Sequence, residues 1–325
     1  MLLHVFALLT AAATAVLIFA GGLVTSTGSG LSVPDWPNSY GWFMFTFPIE
    51  NWVGGIFYEH SHRLIASTVG FLILVLAFWL WRAEPRSWVR KLGFIALGAV
   101  ITQGLLGGIT VLWYLPDPVS IAHASLAQIV FGLTTTIALV TSPGWRQRYA
   151  TRGPAPDDRL LQRVAMLTLA VVYTQIVVGA TMRHTDAGLA IPDFPWMFGH
   201  LIPDRWDAKI AIHFAHRVGA LVVTLMILAT TGHVFAHHRR RVELRRPSIV
   251  LLALVALQVT LGALTVLSGK QYVINSLHVV TGACVLATTL VLTLRAHRAR
   301  FGDSLVAGGH RAAANHAGAA AGARA

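Results

Sequence analysis

Eight apolar stretches, each about 20 residues long, dominate this chain and restrict the folds that it can adopt. The stretches lie at 3–24, 62–81, 92–113, 121–141, 161–182, 211–236, 248–268 and 273–294. A helix of about 20 apolar residues spans the hydrocarbon core of a bilayer. Of the 325 residues, 55% are hydrophobic and 12% are charged, and the charged fraction is about half that of a soluble domain. The sequence therefore predicts an all-α membrane protein with eight transmembrane helices.

The first apolar stretch has two interpretations. It contains small residues of the kind found at signal-peptide cleavage sites. However, it lacks the basic segment that begins a signal peptide, and its apolar run is too long for one. We therefore interpret it as a membrane helix.

The positive charge of the chain is unevenly distributed. The net charge is +12, yet the segment from 25 to 57 contains no Lys or Arg. The basic residues between the predicted helices and after the last one are Arg82, Arg86, Arg90, Lys91, Arg146, Arg148, Arg152, Arg159, Arg163, Arg239, Arg240, Arg241, Arg245, Arg246, Arg295, Arg298 and Arg300. Because cytoplasmic loops are rich in Lys and Arg, we predict a multi-pass protein of the cell membrane with both termini cytoplasmic. This topology explains the basicity without nucleic-acid binding.

The chain also contains an internal repeat. Residues 24–41 match residues 182–199 at an offset of 158, with identities at Thr27, Gly30, Leu31, Pro34, Asp35, Pro37 and Gly41. At offsets of 154 and 155, further matches pair His62 with His216, Arg63 with Arg217, Gln103 with Gln258, Gly107 with Gly262, Thr110 with Thr265, Val111 with Val266 and His123 with His278. The repeated unit contains an even number of helices, so the two halves have the same orientation relative to the membrane.

The repeat predicts two pseudo-symmetric four-helix bundles in tandem. The N-terminal half is residues 1–141 and the C-terminal half is residues 161–295. A cytoplasmic linker, 142–160, joins them. Residues 296–325 are rich in Ala, Gly and His without periodicity, so we predict a disordered cytoplasmic tail.

Four histidines stand at equivalent positions near the starts of predicted helices 2, 4, 6 and 8: His62, His123, His216 and His278. A histidine in an apolar helix is costly and tends to face the bundle interior. Any one of them alone could equally be a hydrogen-bonded packing residue. Four at symmetric positions favour two pairs of metal ligands, one pair in each half.

The residues around these pairs favour haem iron as the metal. Cys284 is the only cysteine, and no carboxylate cluster surrounds either pair, whereas zinc normally has three or four protein ligands. Two imidazoles inside a four-helix bundle suit haem, because the porphyrin provides the remaining nitrogen ligands. Arg63 and Arg217 directly follow ligands, so they could bind haem propionates, or they could simply extend to the membrane surface.

Glu59 distinguishes the first half from the second. The equivalent residue, 154 positions later, is His213. A residue three positions before a ligand lies on the same helical face, so a carboxylate is predicted at the first haem site only. Such a group could transfer a proton or stabilise positive charge. Alternatively, it could be a surface carboxylate at the N-terminus of helix 2.

Several motifs together resemble the haem A synthase family over residues 1–295. They are GGLVTSTGSGLSVPDWP at 21–37, the E-x-x-H-R of Glu59, His62 and Arg63, the H-x-x-H-R of His213, His216 and Arg217, and the later His123 and His278. The resemblance implies oxidation of the C8 methyl group of haem O to a formyl group, by successive hydroxylations and loss of water.

The resemblance also implies a role for each half. The first would bind the substrate haem between His62 and His123, with Glu59 as the catalytic carboxylate. The second would hold a prosthetic, electron-transferring haem b ligated by His216 and His278. Expected partners are haem O, haem A, membrane lipid, haem O synthase, terminal-oxidase assembly factors and an electron donor that the sequence does not name.

The chain departs from many bacterial family members in its cysteines. Those members carry a cysteine pair in the first outer loop, whereas here Cys284 is the only cysteine and lies in predicted helix 8. An intramolecular disulfide is therefore excluded, as in the cysteine-free branch of the family.

Two other functions remain open at this point. A bis-histidine b-type cytochrome would move electrons without altering its haem, and symmetric haem sites would favour it. A haem transporter or chaperone would bind haem O without converting it.

Overall fold

The computed structural model describes residues 1–146 and 158–298, and these residues form eight long helices. The helices are α1 (Leu2–Ser26), α2 (Gly55–Ala83), α3 (Ser87–Leu112), α4 (Asp117–Thr141), α5 (Arg159–His184), α6 (Ala208–His237), α7 (Val242–Leu267) and α8 (Tyr272–Ala296). All eight are long and apolar enough to cross a membrane. No β-strand occurs in the described ranges, apart from two isolated bridges in loops. The predicted all-α, eight-span membrane fold is confirmed.

The helices extend beyond the apolar stretches that predict them. The α2 helix begins at Gly55, seven residues before His62. Arg82 lies in its last turn, and Arg90 belongs to α3 rather than to the preceding loop. Backbone hydrogen bonding continues into the interfacial region, where charged side chains reach water. As a result, Glu59 lies inside a helix, and several charges assigned to loops lie on helix ends.

Two parts of the predicted organisation are only partly described. Asp158, in the predicted linker 142–160, is the N-cap of α5, and residues 147–157 lie outside the described ranges. The predicted tail, 296–325, is described only as far as residue 298.

The helices pack as two closed groups that meet along α4 and α8. The α1 helix contacts α2 and α4, and α3 packs between α2 and α4. In the second group α5 contacts α6 and α8, and α7 packs between α6 and α8. Contacts of α8 with α1 and α4, and of α4 with α5, join the groups. Accordingly, α4 and α8 are the most buried spans.

Apolar side chains fill each group at the end away from the four histidines. In the first group they include Ile73, Leu76, Leu80, Val89 and Ile137. In the second they include Leu161, Ile227, Leu244, Leu251 and Leu292. This packing fixes the helices at one end and leaves the other end for polar groups.

Candidate functional site

Each of the four histidines packs its imidazole against a glycine on the preceding helix. The pairs are Gly21 with His62, Gly107 with His123, Gly179 with His216 and Gly262 with His278. A Cβ atom at any of these glycines would lie 2.8 to 3.1 Å from the imidazole Cε1. Contacts that short require the ring to move, so the missing side chain sets where each imidazole lies. The repeat identified Gly107 and Gly262, but sequence reasoning gave them no role.

Glutamines four residues before three of these glycines contact the histidines. Gln103 Nε2 donates to the backbone oxygen of His123 at 3.0 Å. Gln175 Nε2 donates to the backbone oxygen of His216 at 2.7 Å and lies 3.0 Å from its Nδ1. Gln258 likewise lies beside His278. The repeat paired Gln103 with Gln258 without giving either a role, and the spacing Q-x-x-x-G could have added Gln175.

The histidine of α2 lacks such a glutamine. Leu17 stands four residues before Gly21, and the buried Nδ1 of His62 has no hydrogen-bond partner among the described residues. The Nδ1 of His123 is likewise buried, and residues 1–146 and 158–298 offer it no hydrogen-bond partner. Buried polar atoms are normally satisfied, so these imidazoles have the character of ligand-binding groups.

The second histidine pair has a geometry that suits a metal between the rings. The ring centroids of His216 and His278 are 6.4 Å apart. Imidazole–metal bonds are about 2 Å long, so two nitrogens on opposite sides of one ion are about 4 Å apart, with each ring centre a little farther out. His278 Nδ1 lies 3.2 Å from the backbone oxygen of Gln258, which is the partner that a metal-ligating histidine usually has. The spacing of these two imidazoles therefore fits one iron ion held by both, as in a haem with two histidine ligands.

Glu59 is buried and held at both of its carboxylate oxygens. Its Oε1 accepts a hydrogen bond from Arg63 Nη2 at 2.6 Å, and its Oε2 accepts one from the backbone nitrogen of Val33 at 2.7 Å. The residue is only 3% exposed, and the N-cap of α2 is Gly54. The alternative of a surface carboxylate capping helix 2 is therefore wrong.

His213 makes the same two contacts in the second half. Its Nδ1 lies 3.2 Å from the backbone nitrogen of Ile191, and its Nε2 lies 3.2 Å from Arg217 Nε. Ile191 is the repeat counterpart of Val33. The two halves thus attach the loops that follow α1 and α5 in the same way, but only the first does so with a carboxylate.

Arg63 and Arg217 attach these loops through backbone oxygens. Arg63 donates to the backbone oxygens of Val33, Asp35 and Asn38 at 2.7 to 2.9 Å. Arg217 donates to those of Ile191, Asp193 and Trp196 at 2.7 to 3.0 Å. The described contacts of both guanidinium groups are therefore directed largely to the loops, and their pairing with haem propionates stays a prediction.

A tight turn in each loop is closed by an aspartate. Asp35 accepts hydrogen bonds from the backbone nitrogens of Tyr40 and Gly41, and Asp193 accepts them from Phe198 and Gly199. Burial alone would raise the pKa of Asp35, but these N–H groups and Arg63 bring it below its ordinary value. The φ of +77° at Gly41 favours glycine, because other residues are strained there.

The first loop also reaches α3, next to the glycine that supports His123. The indole of Trp36 packs on Gly108, where an added Cβ would lie 2.6 Å from the ring. Gly108 directly follows Gly107, which supports His123. The loop between α1 and α2 is therefore placed beside the first site, on the side of α3.

His60 is another buried polar residue of the first half whose repeat counterpart is apolar. Its ring lies between Phe47 and Trp52, and its Nδ1 is 3.1 Å from Ser39 Oγ. The repeat places Phe214 at this position in the second half. The Nε2 of His60 is buried and has no hydrogen-bond partner within the part of the chain that the structure describes.

Comparison with known proteins agrees with this geometry. A family model described as cytochrome oxidase assembly protein, COX15-CtaA, matches residues 4–290. The chain belongs to this family. The matched region contains all four histidines and Glu59.

Three relatives cover most of the chain. The heme A synthase of Geobacillus kaustophilus is 30% identical over 302 residues, which cover 90% of this chain and 92% of that protein. The heme A synthase of Halalkalibacterium halodurans is 30% identical over 300 residues, with coverage of 89% and 94%. The heme A synthase of Lysinibacillus sphaericus is 28% identical over 280 residues, with coverage of 84% and 88%.

Proposed function

We propose that this protein is a haem A synthase, a membrane oxidoreductase that oxidises the C8 methyl group of haem O to a formyl group and so supplies haem A to terminal oxidases. One observation supports this most strongly. Two histidine pairs have the same glycine support, yet only the first half places a buried carboxylate, Glu59, three residues before a histidine. An electron carrier needs no such difference between its sites. The family and its heme A synthase relatives support the same function.

In this proposal the two histidine pairs have different tasks. His62 and His123 bind the iron of the substrate haem, and their unpartnered Nδ1 atoms support a site whose occupant changes. His216 and His278 ligate a resident haem b, and the glutamine contacts to both residues support a site that holds its haem permanently. When bound, haem b supplies electron transfer to the substrate site.

The reaction proceeds in this proposal by successive hydroxylation. The first replaces a C–H bond of the methyl group with a C–O bond: dioxygen as co-substrate supplies the oxygen atom, and its other atom leaves as water with two electrons and two protons from the external donor. The second hydroxylation has the same balance and gives a carbon with two hydroxyl groups, which loses water and leaves the formyl group. Glu59 acts as the catalytic carboxylate, because its negative charge, held by Arg63 and Val33, can accept a released proton or stabilise positive charge. The loop that carries Trp36 limits the access of water.

The proposed organisation has two four-helix halves, 1–141 and 161–295, that share one orientation in the plasma membrane. The equivalent packing of the two helix groups supports this arrangement. Arg183, in the last turn of α5, lies at the histidine end, but Arg82 in the last turn of α2 and the arginines near the starts of α5 and α7 lie at the opposite end. By the positive-inside rule that end is cytoplasmic, as are both termini.

The decisive experiment identifies the haems that the protein binds and makes. The chain is co-expressed with a source of haem O in a host that makes no haem A, and haems are extracted from the purified protein and separated by chromatography. Haem A or its hydroxylated precursor beside haem B is the expected result. Haem B alone, in two equal sites, would instead establish a bis-histidine electron-transfer cytochrome. Bound but unconverted haem O would indicate a transporter or chaperone.

A further inference from the structure

Three side chains with metal-binding atoms converge far from the haem histidines. His233 Nε2 and His238 Nε2 lie 2.8 and 2.7 Å from the same carboxylate oxygen, Oδ2 of Asp158. All three donor atoms lie within 4.8 Å of one another. His233 is 17 residues beyond His216 on α6, which places it about 25 Å away along the helix. The cluster therefore cannot share a ligand with the haem sites.

The two helices that carry the cluster fix its geometry. Asp158 is the N-cap of α5, and its Oδ1 accepts a hydrogen bond from the backbone nitrogen of Leu161 at 2.9 Å. That bond leaves Oδ2 for the histidines. His233 lies in the last turns of α6 and stacks on His237 with ring centroids 4.4 Å apart. His238, the C-cap of α6, donates its backbone N–H to Val234.

The donor set has the chemistry of a transition-metal site. Two imidazole nitrogens and one carboxylate oxygen form a common three-ligand set for Zn²⁺, which leaves one position for water. With bonds of about 2 Å, neighbouring ligand atoms of a tetrahedral ion lie about 3.3 Å apart. The observed 2.7 and 2.8 Å would open to that spacing through small side-chain rotations. The side chains of Asp158 and His233 are 22% and 19% exposed, so an ion can reach them.

We propose that Asp158, His233 and His238 form a binding site for a divalent metal ion of zinc-like preference, which joins the start of α5 to the end of α6. The ion replaces the hydrogen bonds between these side chains and ties together the two helices that supply His216 and its supporting Gly179. The site requires neither haem nor the proposed oxidation, so it can be tested independently of them.

The test measures zinc binding to the full chain in detergent, purified through an affinity tag without histidines. The protein is dialysed against buffered free Zn²⁺, and bound zinc per chain is measured by mass spectrometry. We expect one equivalent for the wild type and at least about a tenfold loss of affinity in Asp158→Asn, His233→Gln and His238→Gln. Asn is as good an N-cap as Asp, so Asp158→Asn keeps the cap while removing the charged ligand.

His237→Gln is the matched control, because its ring contacts His233 but lies outside the donor set. It should bind zinc like the wild type. Zinc should also raise the melting temperature of the wild type and of this control, but not that of the three ligand variants. Absence of stoichiometric zinc in the wild type would overturn the proposal, whatever the variants do. Equal zinc binding by wild type and ligand variants would show an adventitious ion only and would overturn it as well.

Discussion

Replacing Glu59 separates two tasks of one side chain, the attachment of the loop between α1 and α2, which the structure shows, and the chemistry that we propose. In Glu59→Ala, Arg63 loses its buried carboxylate partner and the N–H of Val33 loses its acceptor. Removing one partner of a buried ion pair typically costs about 3–5 kcal/mol. The pair is less than 10% exposed on both sides, so we expect a loss in that range for the free energy of unfolding.

The chain itself provides a better substitution. His213 contacts the loop nitrogen of Ile191 and the guanidinium of Arg217, as Glu59 contacts Val33 and Arg63. Glu59→His should therefore recover much of the stability that Glu59→Ala loses, while it removes the carboxylate. Glu59→Gln keeps an acceptor of nearly the same shape without the charge.

The assay compares unfolding of the three variants in detergent with their yield of haem A in the haem O co-expression strain. We expect all three to retain haem b and to make little or no haem A. Wild-type amounts of haem A from Glu59→His or Glu59→Gln would refute the catalytic assignment. Equal destabilisation by Glu59→His and Glu59→Ala would refute the loop-attachment argument. His213→Glu serves as the control, and it should keep both haem b and activity.

Three further predictions concern the packing around the sites and the opposite end of the bundle. Gly179→Ala puts a methyl group 2.8 Å from the imidazole of His216, so haem b binding, measured as the haem-to-protein ratio, should weaken by about tenfold. The control Gly232→Ala adds a methyl group in open space and should bind haem b normally. Gly108→Ala should displace Trp36 and lower haem A yield severalfold with haem b unchanged; an unchanged yield would show that the indole has no part in the first site. Burial would raise the pKa of Glu84, but Arg86 and Arg146 bring that pKa below its ordinary value of 4.5. The ionised carboxylate therefore stabilises the fold above pH 4.5, and this stabilisation is lost as the pH falls through the lower folded pKa. The difference in thermal stability between wild type and Glu84→Gln should therefore narrow below pH 4.5, and a constant difference would contradict the assignment.

Much of the fold and part of the candidate site followed from simple patterns. The bilayer demands long apolar helices, so hydropathy alone located all eight spans. The internal repeat identified the four histidines, because equivalent polar residues stand out in apolar helices. The limits of the helices were less predictable. Helical hydrogen bonding does not stop where apolar residues stop, and for this reason α2 begins well before His62.

The sequence by itself determined the membrane class, the repeat, the histidine pairs and the difference between Glu59 and His213, because each depends on residue type and spacing along the chain. Only the tertiary structure decided what those residues contact. Arg63 donates to backbone oxygens of a folded loop, and such oxygens occur at every residue, so no sequence pattern marks them. Asp158 meets His233 and His238 across 75 and 80 residues. Contacts of this kind arise from helix packing, which brings together side chains that are far apart in the chain.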